Sequence, residues 1–247
     1  MPEGIVLVRI PFREHDEIIS FITREIGRVD VLARGVKKIT SKLSPHLEPF
    51  SHVSFDTVEG KEMTVLTSSQ ILDSFSGVRS HYTKSLQAEF ASHAVYKLTR
   101  PGNIEQGVFD TFFSWLRVVD TIEHISDCRF LDWFMFQIMS TIGFEPAYRA
   151  CVYCGGSENL LSWSFSQGGV VCARCASNDL SGGSLFRISP QTIRDMDRLH
   201  HISVADLSVT YPFIPTVHSL LSGHLQYQTE AKIGGWIHTG IPVGQLA

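Results

Sequence analysis

Four of the five cysteines fall in one stretch, CVYCGGSENLLSWSFSQGGVVCARC, running from Cys151 to Cys175. Cys151 and Cys154 enclose Val-Tyr, Cys172 and Cys175 enclose Ala-Arg, and 17 residues separate the two pairs. A two-residue gap lets a tight turn aim both thiols of a pair at one point. Gly155 and Gly156 can supply the positive φ that such a turn often needs. Four thiolates can then surround one tetrahedral ion, with zinc the expected metal. Two disulfides do not suit a reducing compartment, and a thioredoxin-like redox pair explains one Cys-x-x-Cys but not two. A catalytic zinc keeps an open position that four cysteines would close. The expectation is one structural Zn2+, which in isolated fingers stabilises the fold by about 10–16 kcal/mol. Cys128 stands apart in HISDCRF as a packed or idle thiol.

The second chemically suggestive stretch is RVDVLARGVKKITSKL, residues 28–43. Arg28, Arg34, Lys37, Lys38 and Lys42 oppose a single acid, Asp30: five positive charges less one negative give +4, in a chain of net charge −4. Gly35, Thr40 and Ser41 add flexibility and hydroxyls that can meet phosphate oxygens. Single-strand-binding barrels combine such a basic loop with aromatic stacking platforms. Phe12, Phe21, Phe50 and Phe55 are candidates for the platforms, with core packing the alternative for each. A solvated surface loop is the alternative for the basic run.

Signatures of catalysis are missing. There is no phosphate-cradling Gly-x-x-x-x-Gly-Lys, no Gly-x-Gly-x-x-Gly, no His-Glu-x-x-His and no Gly-x-Ser-x-Gly. His200 and His201 are adjacent, so they diverge on a helix and read as surface histidines. The expectation is a protein that is not an enzyme and has no small-molecule substrate.

These residues need elements to position them. IVLVRI, DEIISFIT, RVDVLARGV, SHVSFDTV and MTVLTSSQIL read as five antiparallel strands over residues 5–74, rich in Val, Ile, Phe and Thr. Five short strands suit a small closed barrel of the OB type, with an SH3-like barrel as the rival. The period then becomes helical over 82–99, 106–122 and the strongly apolar 130–142. Ser189-Pro190 reads as the N-cap and first position of another helix, and 217–233 as the last. LLSWSF and GVVC, joined by SQGG, read as a hairpin that carries the second cysteine pair back beside the first. The expected organisation is an α+β multidomain chain: an OB-type barrel at 1–79, a helical domain at 80–150 and 176–247, and a zinc ribbon inserted at 151–175.

The chain has 247 residues, 43% of them apolar and 19% charged, which is ordinary for a globular protein. The N-terminus lacks a basic region before its apolar run, so no export signal is expected. No stretch approaches the ~18 apolar residues of a membrane helix. A cytoplasmic protein without membrane contact is the expectation. Its overall negative charge requires any polyanion-binding surface to be local.

The layout, and above all DEIISFITREIGRVDVLARGVKKITSKLSPHLEPFSHV, resembles the bacterial RecO family of recombination mediators. The resemblance rests on Asp16, Thr23-Arg24-Glu25, Gly27, Ala33-Arg34-Gly35, Lys37-Lys38, Ser41-Lys42 and Leu47-Glu48-Pro49-Phe50, and on EPAYRACVYCG leading into the ribbon. It is specific over 16–53 and 143–175. The tail after Gly223 departs from it, with AKIGGWIHTG where a basic, serine-containing helix end is expected. The resemblance implies a DNA-repair protein, nucleoid-associated, that binds single- and double-stranded DNA and anneals complementary strands. It implies RecR and the acidic C-terminal tail of the single-strand-binding protein as partners, and help in loading recombinase onto coated strands. Arg117 and Arg129, near apolar helix faces, are the candidate cationic contacts for that tail. The alternative is a zinc-stabilised protein-interaction scaffold that does not itself touch nucleic acid.

Overall fold

Five strands with alternating apolar side chains curl into a closed barrel in the computed structural model, which describes residues 1–178 and 185–229. They are β1 (Glu3–Pro11), β2 (Glu17–Thr23), β3 (Gly27–Ala33), β4 (His52–Val58) and β5 (Val65–Asp73), in the order β1-β2-β3-β5-β4. This is the Greek-key order of an OB-fold. Four of the five seams are antiparallel, but β3 meets β5 in parallel at Leu32–Val65. A ring with an odd number of strands cannot alternate direction all the way round, so one seam must be parallel.

The barrel interior holds Val6, Ile19, Phe21, Val31, Val53, Phe55 and Leu66, with the Phe21 and Phe55 rings stacked at 4.4 Å. Phe50 is also buried, under the Arg79 guanidinium at 4.3 Å from its ring centre. Phe21, Phe50 and Phe55 are therefore packing residues and not stacking platforms. Of the candidate platforms, only Phe12 is exposed.

Three helices complete a first compact unit, Met1–Ile125: α1 (Ser76–Arg79), α2 (Tyr82–Leu98) and α3 (Val108–Thr121). α2 packs on the barrel with polar as well as apolar side chains, which explains its weak sequence pattern. Ser92 Oγ donates to the Leu7 carbonyl at 2.7 Å. Buried Lys84 donates to the Ile122 carbonyl beyond the end of α3, and desolvation lowers its pKa. Gly27 packs so closely against the segment after α2 that a Cβ would lie 2.1 Å from the Asn103 carbonyl oxygen, and its φ is +68°.

The second compact unit begins at Ser126. Its centre is α4 (Arg129–Thr141), buried on nearly every side through Phe130, Leu131, Trp133, Phe134, Met135, Phe136, Ile138 and Met139. Cys128 is buried beside its start. β6 (Leu160–Ser164), β7 (Gly169–Cys172) and α5 (Ala173–Ser177) form the ribbon. β8 (Phe186–Arg187) adds a third strand beyond the cysteines. α6 (Pro190–His201), α7 (Leu207–Thr210) and α8 (Pro215–Thr229) follow. Ser189 caps α6 as its sequence predicts, its Oγ accepting from the Thr192 N–H at 3.2 Å. Asp132 on α4 and His218 on α8 are joined at 2.6 Å. The predicted continuation of the last helix through 230–233 and the atypical stretch 231–240 lie outside the described residues. No helix among the described residues is long and apolar enough to cross a membrane.

Candidate functional site: a cysteine cluster and a basic barrel end

The first cysteine pair sits on a tight turn. The Gly155 N–H donates to the Cys151 carbonyl at 2.8 Å, and the Cys151 N–H donates to the Gly156 carbonyl at 2.8 Å. Gly155 takes a φ of +71°, which a side chain would resist. The β6–β7 hairpin returns the chain, and Cys172 caps the short helix that carries Cys175. All four sulfurs lie within 4.8 Å of one another, and the Cys154 and Cys172 sulfurs are 3.8 Å apart. A tetrahedron with metal–sulfur bonds of about 2.3 Å has edges of about 3.8 Å, so the donors fit one ion and leave no open position.

Backbone amides already favour sulfur anions here. The Cys172 N–H points at the Cys151 sulfur at 3.4 Å, and the Cys175 N–H at the Cys172 sulfur at 3.5 Å. At Cys151 burial opposes ionisation, but amide donors outweigh it and bring the thiol down to about 6. An amide donor from Gly156 and the Arg174 guanidinium lower Cys154. Cys175 is pushed up to about 12 by burial and by the neighbouring cysteines. Crowded thiolates repel one another; a cation at their centre would remove that repulsion. The cluster can therefore hold a metal ion.

The ribbon is anchored at its root and along α8. Gln228 Nε2 donates to the Phe165 carbonyl at 2.6 Å, and the ring of Phe165 packs against Gly223, where a Cβ would lie 2.6 Å from a ring carbon. Tyr148, buried just before the first cysteine, meets His200 Nδ1 at 2.8 Å and donates to Asp197 at 3.2 Å. His200 is therefore a half-buried packing residue rather than the surface histidine expected; His201 is exposed.

The structure divides the five candidate basic residues. Arg28 is buried: its Nη1 donates to the Tyr96 and Thr99 carbonyls at 2.5 and 2.7 Å, and the guanidinium lies 4.5 Å over the Tyr96 ring. Those carbonyls end α2, so Arg28 ties β3 to that helix and is corrected from the DNA-facing set. Arg34, Lys37, Lys38 and Lys42 are exposed. They lie on a loop anchored by Val36 in the barrel core and by Leu43 packed against that core. The Asp16 carboxylate accepts from the Gly35 N–H at 2.8 Å, and the Lys37 N–H donates to the His15 carbonyl at 3.1 Å. The β1–β2 turn thus braces the loop.

Two clefts, each of about 450 Å³, open at this end of the barrel. Arg13 and Arg34 line both. Lys38 and His15 line one together with the acids Glu14 and Asp16, while Phe12, Lys61 and Met63 line the other together with Glu59 and Glu62, between the β1–β2 and β4–β5 turns. Oligonucleotides bind OB-folds beside these turns. Arg13 and Lys61 escape a reading of the sequence because each is a single cation within its own turn. Only the strand order brings those turns together.

Arg117 and Arg129 fall in different compact units. Arg117 is exposed on α3, 5.9 Å over the Phe113 ring. Arg129 is already engaged, with Asp127 at 2.5–3.1 Å and the Tyr211 carbonyl at 2.9 Å, so its charge is neutralised within its own unit. It is corrected as a free cationic contact.

The chain thus joins an OB-type barrel to a helical unit that carries a four-cysteine ribbon able to hold a metal ion. Residues 2–75 match the family model for the recombination protein O N-terminal domain, and residues 79–236 match that for its C-terminal domain. The chain belongs to the RecO family. Relatives named DNA repair protein RecO include one from Nocardioides sp., 30% identical over 70% of this chain and 72% of its own length. Another, from Bacillus pumilus, is 26% identical over 83% of this chain and 78% of its own. A third, from Syntrophomonas wolfei, is 26% identical over 70% and 68%.

Proposed function

We propose that this chain binds DNA at the basic end of its barrel and acts in DNA repair as a non-catalytic recombination mediator. The observation that carries this reading is the presentation of Arg34, Lys37, Lys38 and Lys42 on a braced loop beside clefts lined by Arg13, Lys61 and exposed Phe12. Lysines held as mobile point charges suit phosphates, and the loop carries no Asn or Gln to read base edges. Binding is then salt-dependent and indifferent to sequence on single and double strands. Neutralising both strands at one surface lowers their mutual repulsion and favours annealing. The four-cysteine cluster holds one structural zinc, which fixes the ribbon and takes no part in chemistry. RecR and the single-strand-binding protein's acidic tail are the partners that the family resemblance implies, with help in recombinase loading as the outcome. The test is annealing of complementary strands coated with single-strand-binding protein, with and without this chain. Acceleration that fades with salt supports the reading. Unchanged annealing together with no DNA binding at low salt would favour an interaction scaffold instead.

A further inference from the structure

Ile39 is fully solvent-exposed, at 105% of its reference accessibility. It sits at the tip of the basic loop, with Lys37, Lys38, Thr40 and Lys42 exposed around it. The tip is a defined turn: the Ser41 N–H donates to the Lys38 carbonyl at 2.9 Å, which places Ile39 and Thr40 at its centre. A second turn, Lys38 N–H to the Gly35 carbonyl at 3.1 Å, precedes it. Turn centres favour Pro, Gly, Asn, Asp and Ser, so turn chemistry does not call for isoleucine. Core packing does not call for it either, since that role falls to Val36 and Leu43 on either side.

A single exposed apolar residue is ordinary by itself. This one differs because cations surround it on a braced support. A ligand held by those cations must be anionic, and a ligand that also uses the tip must offer apolar surface among its charges. A nucleic-acid strand does both, with phosphates outside and base faces between them. A β-branched side chain suits insertion because its χ1 is already restricted, so little rotamer freedom is lost on entering a base step. Architectural DNA-binding proteins use isoleucine among such wedges.

We propose that Ile39 is an apolar wedge that enters between neighbouring bases of a DNA strand held by the surrounding lysines. This deepens the DNA-binding reading and rests on it. The wedge interrupts stacking within the strand and leaves base edges splayed for pairing, which ties the loop to annealing as well as to affinity.

The test uses the full chain and a single strand carrying a fluorescent adenine analogue whose emission rises on unstacking. The wild-type protein should raise the emission on binding. Ile39→Ser should keep the wild-type melting temperature and salt slope and lose the rise. Its annealing rate should fall by roughly tenfold, which corresponds to about 1.4 kcal/mol in the barrier. Ile39→Leu should retain both properties. If the wild type binds with normal salt dependence and Ile39→Ser gives the same emission and annealing rate, the wedge is overturned and the DNA-binding reading stands. If the wild type does not bind the strand at low salt, both fall. If Ile39→Ser changes only the binding of an acidic peptide, the tip belongs to a protein contact and the wedge is wrong.

Discussion

Removing two cations from the loop tests the DNA surface quantitatively. The double substitution Lys37→Ala, Lys38→Ala takes away two of the four exposed basic side chains and leaves the backbone bonds of both positions in place. Neither side chain is buried, so the melting temperature should stay at the wild-type value. Each phosphate neutralised on a single strand contributes about 0.7 to the log–log salt slope, so losing two contacts should make the slope shallower by about 1.4, whatever Arg13 and Lys61 add. Raising salt from about 50 to 200 mM should therefore weaken the double variant about sevenfold less than the wild type. Fluorescence anisotropy with two unrelated oligonucleotides, titrated at several salt concentrations, reads both the slope and the absence of sequence preference. The loss should be the same for both sequences, because point charges on phosphates do not distinguish bases. An unchanged slope in a folded double variant would refute the placement of the DNA surface on this loop.

Three further outcomes follow from the packing. Metal analysis of reduced protein should find about one zinc per chain, and Cys151→Ser or Cys175→Ser should lose it; either should loosen α8 as well, since Gln228 is fastened to the ribbon at Phe165. Reduced, folded protein without zinc would count against the site. Arg28→Ala should cost about 1–3 kcal/mol in denaturant unfolding, from stranding the Tyr96 and Thr99 carbonyls, and leave the salt slope alone; a lowered slope with intact stability would restore Arg28 to the DNA surface. Asp132→Asn should destabilise the second unit by about 3–5 kcal/mol at a pH of ~6. Burial would lower the pKa of His218, but its hydrogen bond to Asp132 outweighs this and raises it; burial raises Asp132. Both shifts are upward, so the folded pair keeps protons that the unfolded chain releases; the His218 part of its contribution is full below the ordinary histidine value of about 6.5 and is lost as pH rises through the raised one. Melts across that window should show the wild-type advantage shrinking upward; an advantage that grows with pH would contradict the assignment.

The parts of the fold legible in the sequence were those set by short-range geometry. The Cys-x-x-Cys turns, the Ser189-Pro190 helix start and the hairpin between the cysteine pairs each depend on a few neighbouring residues, and each stands where its spacing placed it. The parallel β3–β5 seam was not legible, because it follows from how the strand ring closes and not from any one strand. The polar face of α2 hid its packing for a similar reason. Lys84 and Ser92 are buried by partners far away in sequence, so their burial leaves no apolar period.

The family-like stretch 16–53 divides in the same physical way. Several of its characteristic residues hold the barrel together: Asp16 braces the basic loop, Thr23 Oγ1 donates to the Gly27 carbonyl, Leu47 and Phe50 are buried, and Glu48 pairs with Arg9. Each is held by a specific hydrogen bond, ion pair or buried packing site, so its type and position are tightly constrained. The exposed cations have no such partner geometry. A phosphate contact needs a positive charge within reach, and Arg13 or Lys61 from another turn can serve as well as Lys37. Counting charges along 28–43 gathers four exposed cations and also Arg28, which is buried and whose carbonyl partners lie 68 and 71 residues away. Charge density in sequence points to a polyanion surface, while burial separates the cations that can reach it from the one that holds the surface in place.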